Sequence, residues 1–350
     1  MTYTQGVLLA FFAAIAVFAA LSCAARLQSA GTAERALAAS ILWLGIFCVP
    51  VHVLGWLNVL TRLNLAIALA VVTAAMLVLA WFPTRRARMM AGIIAQTARL
   101  PWDAFAEAWR ERSVAFVGLI ACALILMWTA WLSYLAPSSS WDGLMYHEAI
   151  VGFSIQNHGF RWVEVPQGVL EQVNGFPRTC EYLALTAALF DGKRFMDLVP
   201  TVVSPIAILA FYVAMRRFMK DRSVTIALAC GLYLVPAIVF ELRSTYVDIE
   251  YALCFAACCH VVTRPKMDLA HAWLCVLAIG LLGGLKVTGL LLAPPLLALW
   301  FLRASATGFE QRRKAYLPTV LLGTVAIVAL GFVTYLRNWF EKRTSFGRRI

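Results

Sequence analysis

The chain has 350 residues, of which 62% are hydrophobic and 14% charged, with a formal net charge of +12. Soluble domains run near ~45–50% apolar and ~25% charged, so this composition excludes a soluble globular protein and points to a polytopic membrane protein. The basic residues sit in short clusters between apolar runs, which argues against a nucleic-acid partner.

A helix needs roughly 20 mostly apolar residues to cross a bilayer. Segments that qualify, or nearly do, lie at 6–25, 36–60, 63–82, 114–135, 195–217, 223–242, 245–263, 269–285, 286–302 and 315–336, about ten in all. The first lacks a basic leader and a convincing cleavage pattern, so it reads as a span rather than a signal peptide. The stretch 179–190 (TCEYLALTAALF) is apolar but too short to cross, and reads as an interfacial or re-entrant helix.

Placing the N-terminus outside puts loops 26–35, 83–113, 216–222, 264–268 and 303–314 in the cytoplasm. They hold 18 of the 30 basic residues, among them Arg85, Arg86, Arg88, Arg216, Arg217, Arg312, Arg313 and Lys314. The opposite face holds 12, five of them in the last 14 residues, and it carries 11 of the 18 acids. That asymmetry follows the positive-inside rule. Loop 83–113 reads as an amphipathic segment at the membrane surface, because Trp102, Phe105 and Trp109 recur at 3–4 spacing among charges. Eight of the nine cysteines fall inside apolar segments and Cys180 sits beside one. None has CxxC or zinc-ligand spacing, so they read as small membrane hydrophobes, and the spacing singles out no metal ligand.

Three regions carry chemistry. The first is the long outer loop 136–194. Ser138, Ser139, Ser140 and Asp142 look like a helix start, where side-chain oxygens satisfy orphan N–H groups. A helix from about 143 to 157 would then turn Leu144, Ile150, Phe153 and Ile155 to lipid. At roughly 100° per residue, Tyr146 and Ala149 share the face of Asp142, while His147 lies ~140° away. Asp142 is thus a cap or a reactive carboxylate, and His147 a wetted interfacial histidine or a site residue. Farther along, Pro177 can start a helix, and Glu181 follows Arg178 by three residues, which allows a structural ion pair. The second region, RSTYVDIEYALCFAACC at 243–259, sets Asp248 and Glu250 at the outer mouth of a span, where carboxylates more often line a cavity than face lipid. The third, GLLGGLKVTGLLL at 281–293, interrupts an apolar run with Lys286, either snorkelling or supplying a charge to a phosphate.

SSSWDGLMYHEAIVGF, NGFPRTCEYLAL, TYVDIEYAL and GLLGGLKVTGL, in that order, resemble bacterial membrane glycosyltransferases of the GT-C fold, in the style of the protein-mannosyltransferase-like and aminoarabinose-transferase-like families. The likeness covers roughly residues 114–340. It implies an all-α membrane fold of about ten transmembrane helices, with interfacial helices in a long catalytic outer loop. The expected organisation is 1–113 as N-terminal spans and basic loop, 114–340 as the GT-C-like core, and 341–350 as a basic tail.

The implied function is transfer of a sugar from a polyprenyl-phosphate donor to a glycan, lipid or protein acceptor, at the extracytoplasmic face of a bacterial inner membrane. By motif position Asp142 matches the likely general base, and Asp248 an acid that positions the acceptor or a metal. Lys286 matches a lysine at the lipid phosphate. His147, Glu181, Arg178, Arg243 and Tyr146 complete the substrate-binding set. A divalent-cation requirement is left open. One base suffices chemically, because a phosphate leaving group departs as an anion, provided fixed positive charge meets it away from bulk water. The sequence at 337–339, RNW, resembles a family element that leads into a Gly-Asn-Pro turn, but here it runs into FEKRTSFGRRI. That departure predicts a chain that stops early relative to its family. The competing readings are a truncated, non-catalytic member and a transporter of lipid-linked substrates, though no internal repeat is evident.

Overall fold

The computed structural model describes residues 4–27, 30–82, 87–136, 140–264, 268–307 and 313–346, and the described chain is helical without a strand. The N-terminal helices are α1 (Thr4–Ala24), α2 (Thr32–Trp56) and α3 (Arg62–Trp81), followed by the short α4 (Ala87–Ala98) and α5 (Leu100–Arg110). Helix α6 (Val114–Leu135) leads into the outer loop. There a π turn (Gly143–His147) enters α7 (Glu148–Gln156), then come α8 (Gln167–Gly175), a 3-10 turn (Thr179–Glu181) and α9 (Tyr182–Asp191). A second 3-10 segment (Gly192–Leu198) enters α10 (Val199–Met215), followed by α11 (Arg222–Tyr233), α12 (Pro236–Glu241), α13 (Asp248–Val262), α14 (Leu269–Leu285) and α15 (Gly289–Thr307). Last come α16 (Arg313–Ile327), a π turn (Val328–Phe332) and α17 (Val333–Phe346).

Among the described residues, six helical stretches are long and apolar enough to cross a membrane: Gly6–Ala24, Thr32–Trp56, Arg62–Trp81, Val114–Leu135, Phe195–Met215 and Leu317–Phe340. Arg222–Tyr233, Leu269–Leu285 and Gly289–Arg303 are apolar but shorter. An all-helical chain with several such stretches is the expected answer to a hydrocarbon solvent, where each N–H and C=O must find its partner inside the segment. Small residues line the helix contacts. Ala16, Ala19 and Ala20 on α1, Ala207 and Ala210 on α10, and Cys254, Ala257 and Cys258 on α13 are all buried, and such side chains let backbones approach closely. The cysteines are free thiols, seven of them buried, in keeping with their reading as small hydrophobes.

Several expectations need correction. The segment 223–242 is not one helix. It breaks between α11 and α12, where Val235 is extended (φ −58°, ψ 127°), because Pro236 has no N–H to donate and disfavours the helical region for the residue before it. In the outer loop Asp142 is not a cap. It is itself helical (φ −65°, ψ −34°) and its side chain accepts no capping bond. Ile150 does not face lipid. It is fully buried. Ser138, Ser139, Arg85, Arg86, Arg312, Arg348 and Arg349 lie outside the described residues. Residues 341–346 continue α17 rather than leaving it as a separate tail.

Polar contacts sort the helix ends onto two faces. On one face, Glu34 at the start of α2 meets Arg217 after α10, and His260 and Arg264 at the end of α13. Arg26 donates to Leu79 O, and Arg222 pairs with Glu107 of α5. On the other face, Leu60 N donates to His158 O, Arg62 Nε to Leu189 O, Thr201 Oγ1 to Leu242 O, and Lys286 pairs with Asp248. Arg26, Glu34, Glu107, Arg217, Arg222 and Arg264 therefore share one face, and residues 158–189 of the long loop lie on the other. On the basic face, Trp102 and Trp109 of α5 are exposed while Phe105 stacks against Trp102 and lies close to Phe116 of α6. Residues 179–190 form a short helical segment buried in protein: α9 lies against α1, α2 and α7, and Tyr182, Leu185 and Phe190 are fully covered.

Candidate functional site

At the end of the helical array that carries residues 140–194 the four motif segments meet in pairs. The first meets the second through His147 at the end of the π turn, whose Nδ1 lies 2.8 Å from Glu181 Oε1. Both side chains are buried. The other oxygen of Glu181 accepts the Cys180 thiol at 2.7 Å, so each carboxylate oxygen has one close partner. The first meets the third where Gly143 passes Thr245. A methyl group at Gly143 would stand 2.8 Å from Thr245 Oγ1, so a larger residue there would force that side chain to shift. The second meets the fourth where Thr179 lies against Gly284. A Cβ there would sit 2.1 Å from Thr179 Oγ1, which explains the second glycine of the GLLGGLK run. The third meets the fourth in the Asp248–Lys286 pair at 2.5 Å, both side chains a little over 40% exposed.

Local chemistry explains how these side chains are held. The turn at 143–147 places the Tyr146 hydroxyl 3.0 Å from Asp142 Oδ2, to which it donates. Burial, reinforced by the Asp142 carboxylate, pushes the Tyr146 phenol well above its usual range, so it stays a donor. The Tyr146 ring lies 4.3 Å from that of His147 and edge-on to Phe176 at 5.1 Å, which fixes both aromatic planes. Lys286 follows the last turn of α14 in extended backbone (φ −148°, ψ 152°). Its carbonyl and that of Gly283 each lie 3.3 Å from Tyr335 OH of α17, which covers that frayed helix end. Burial and the neighbouring Glu181 charge both push the Cys180 thiol up, so it is a protonated donor.

The structure brings together most of the residues singled out from the sequence, though not always as expected. Asp142 and Tyr146 pair with each other, as their shared helix face predicts. His147 takes Glu181, and the expected Arg178–Glu181 ion pair does not form among the described residues. Arg178 is only 3% exposed, its Nε has no hydrogen-bond partner, and burial lowers its pKa against the opposing pull of Glu181. Arg243 is half-buried in the turn between α12 and α13. Lys286 does not snorkel alone, because Asp248 holds it. Glu250 is buried with Oε2 unpartnered, beside a void of about 10 Å³ bordered by Cys48, Thr179, Cys180 and Cys254. A larger open cavity of about 410 Å³ lies away from this cluster, between Leu8, Arg62, Leu63, Ile155 and Leu189. Its lining is apolar apart from Arg62, and it opens at the molecular surface.

Sequence reasoning missed Cys180, Thr179, Thr245 and the clamp formed by Arg337 and Asn338. Arg337 donates to Phe160 O (3.2 Å) and Asn174 O, and sits over the rings of Trp56 and Trp162. Asn338 Nδ2 donates to Gly175 O at 2.9 Å. The RNW element therefore holds the middle of the outer loop. Position beside Glu181 was the only available signal for Cys180, and nothing in the spacing marked the rest.

No family model matches the chain, and no curated protein or solved structure does either. The functional reading rests on the residues themselves.

Proposed function

We propose that the chain is a membrane glycosyltransferase that moves a sugar from a polyprenyl-phosphate donor to an acceptor at the extracytoplasmic face of a bacterial inner membrane. The observation that supports it best is the convergence of the four motif segments at one end of the helical array, with carboxylates and cations interleaved at Asp142, Glu181, Asp248, Arg178, Arg243 and Lys286. On this reading the three shorter apolar helices also cross, α11 with α12 as one broken span, and so does α13 (Asp248–Val262), which makes ten crossings and returns each basic loop to the cytoplasm.

In this mechanism Asp142 is the base. Tyr146 holds Oδ2, which leaves Oδ1 to accept the proton of the acceptor hydroxyl. A positioned base of this kind contributes about 10²–10⁴-fold. The departing phosphate takes Lys286 from its half-exposed pairing with Asp248, an exchange of one anion for another that costs little at that exposure. Arg178 adds a desolvated positive charge that water does not screen. The apolar groove beside Arg62 suits an isoprenoid tail. The test is transfer of labelled sugar from a lipid-linked donor in proteoliposomes. Asp142→Asn should lose at least about 100-fold in turnover while inserting and melting like wild type. Turnover within a few-fold of wild type would reassign Asp142 as a structural partner of Tyr146.

A further inference from the structure

His147, Cys180 and Glu181 bring an imidazole, a thiol and a carboxylate together, with their ligating atoms within 4.8 Å of one another and all three side chains buried. These are the side-chain types that zinc-class ions take, at bonds of about 2.0–2.3 Å. Tetrahedral bonds of that length put ligand atoms roughly 3.3–3.8 Å apart, so the widest separation here must close by about 1 Å and the 2.8 Å contact between His147 Nδ1 and Glu181 Oε1 must open by about 0.5 Å as the ion enters between them. The ligands stand on well-braced turns. His147 ends the π turn that Gly143 seats beside Thr245, and the 3-10 turn of Cys180 and Glu181 is wedged by Thr179 against Gly284. A second observation stands beside them. Arg178, two residues before Cys180, is buried with no hydrogen bond to its Nε, and Glu181, its nearest carboxylate by sequence, is engaged elsewhere. A buried guanidinium in that state calls for an anion.

We propose that His147, Cys180 and Glu181 form a three-ligand site for a zinc-class divalent cation, with Arg178 as the counter-charge for an anionic fourth ligand. The charges close. A thiolate and a carboxylate neutralise the ion, and the one positive charge left on Arg178 matches a phosphate monoanion. The protons close as well. Cys180 releases its thiol proton to bulk solvent, and His147 carries its proton on Nε2 so that Nδ1 can ligate. Three protein ligands with a fourth position open is the pattern of reactive rather than purely structural zinc sites. That the anion is the donor's phosphate rests on the transferase reading above, whereas the binding of the ion does not.

The experiment uses the full chain in detergent, stripped with chelator and titrated with Zn²⁺ against a competing indicator, and with Co²⁺ followed by absorption. Wild type should take one ion per chain, release about one proton per ion, and show sulfur-to-cobalt charge transfer with tetrahedral ligand-field bands. Cys180→Ala should abolish the charge-transfer band and weaken binding beyond the ~10–100-fold that a lost outer-sphere partner costs. His147→Gln reads the same weakening should the cysteine variant not fold. Inorganic phosphate should shift the cobalt bands in wild type but not in Arg178→Gln, which keeps the ion. Equal stoichiometry and affinity in wild type and both ligand variants would overturn the site, as would a charge-transfer band that survives in Cys180→Ala. None of these readouts requires transferase activity, so the two hypotheses fail separately.

Discussion

Replacing Arg337 by alanine should open the middle of the outer loop without unfolding the helices. Its guanidinium donates to the carbonyls of Phe160 and Asn174 and lies 5.5 and 5.8 Å from the ring centroids of Trp56 and Trp162. Two bonds from a charged donor contribute about 1.5–3 kcal/mol each, and each partly exposed cation–π contact about 0.5–1 kcal/mol. The gross sum is ~4–8 kcal/mol. Water reaches the freed carbonyls in part, and Asn338 still holds Gly175 O, so roughly 3 kcal/mol of closing free energy should be lost. At 1.4 kcal/mol per decade that raises the open population by about 10²-fold. Arg161 lies in this segment and is exposed, so trypsin cleavage after it reports the opening directly. When reclosing is faster than cleavage, the rate follows the open population, and Arg337→Ala should be cut about 100-fold faster than wild type. Arg337→Lys keeps the charge but loses the planar fork, and should fall near tenfold. A cleavage rate within twofold of wild type for Arg337→Ala would show that the clamp does not hold the loop.

Gly284→Ala should displace the 3-10 turn at Thr179, since the new Cβ meets Thr179 Oγ1 at 2.1 Å. The expected cost is about 1–3 kcal/mol, read as a lower melting temperature in detergent and partly rescued by Thr179→Ala; an unchanged melt would refute the wedge. Cys180 should resist maleimide at pH 8, because burial and Glu181 hold the thiol protonated. A raised folded-state thiol pKa also means that stability is retained below the unfolded thiol value of about 8.5 and falls as pH rises above it, and rapid labelling of the folded chain would refute the burial. Single cysteines placed at Lys220 and Arg161, on a background without native cysteines, should label from the cytoplasmic and outer sides respectively with an impermeant reagent. The reverse pattern would invert the topology.

Much of this architecture was legible from composition and local pattern. The cost of exposing peptide groups to hydrocarbon forces apolar runs of about 20 residues into helices, and the placement of Lys and Arg separates two faces without any knowledge of packing. The break before Pro236 has an equally local cause in the missing N–H, yet the continuous apolar run 223–242 hid it and read as one span. Tyr146 meeting Asp142 four residues earlier is likewise a property of one helix, readable from its period. The cross-motif pairs were not. Glu181 had an available cation three residues away in Arg178, yet it takes His147, 34 residues distant, because the packing of α7 against α9 brings the turns that precede them together. Lys286 read alone is a snorkelling cation, and it becomes half of an ion pair only because α13 begins where α14 ends. The RNW element looked like the point where family likeness stops, whereas the fold uses it to hold the loop that spans His147 and Glu181. Hydropathy and charge act residue by residue and survive in a linear reading. Partner choice among buried polar groups is decided by which helices share an interface, and that is a property of the packed chain.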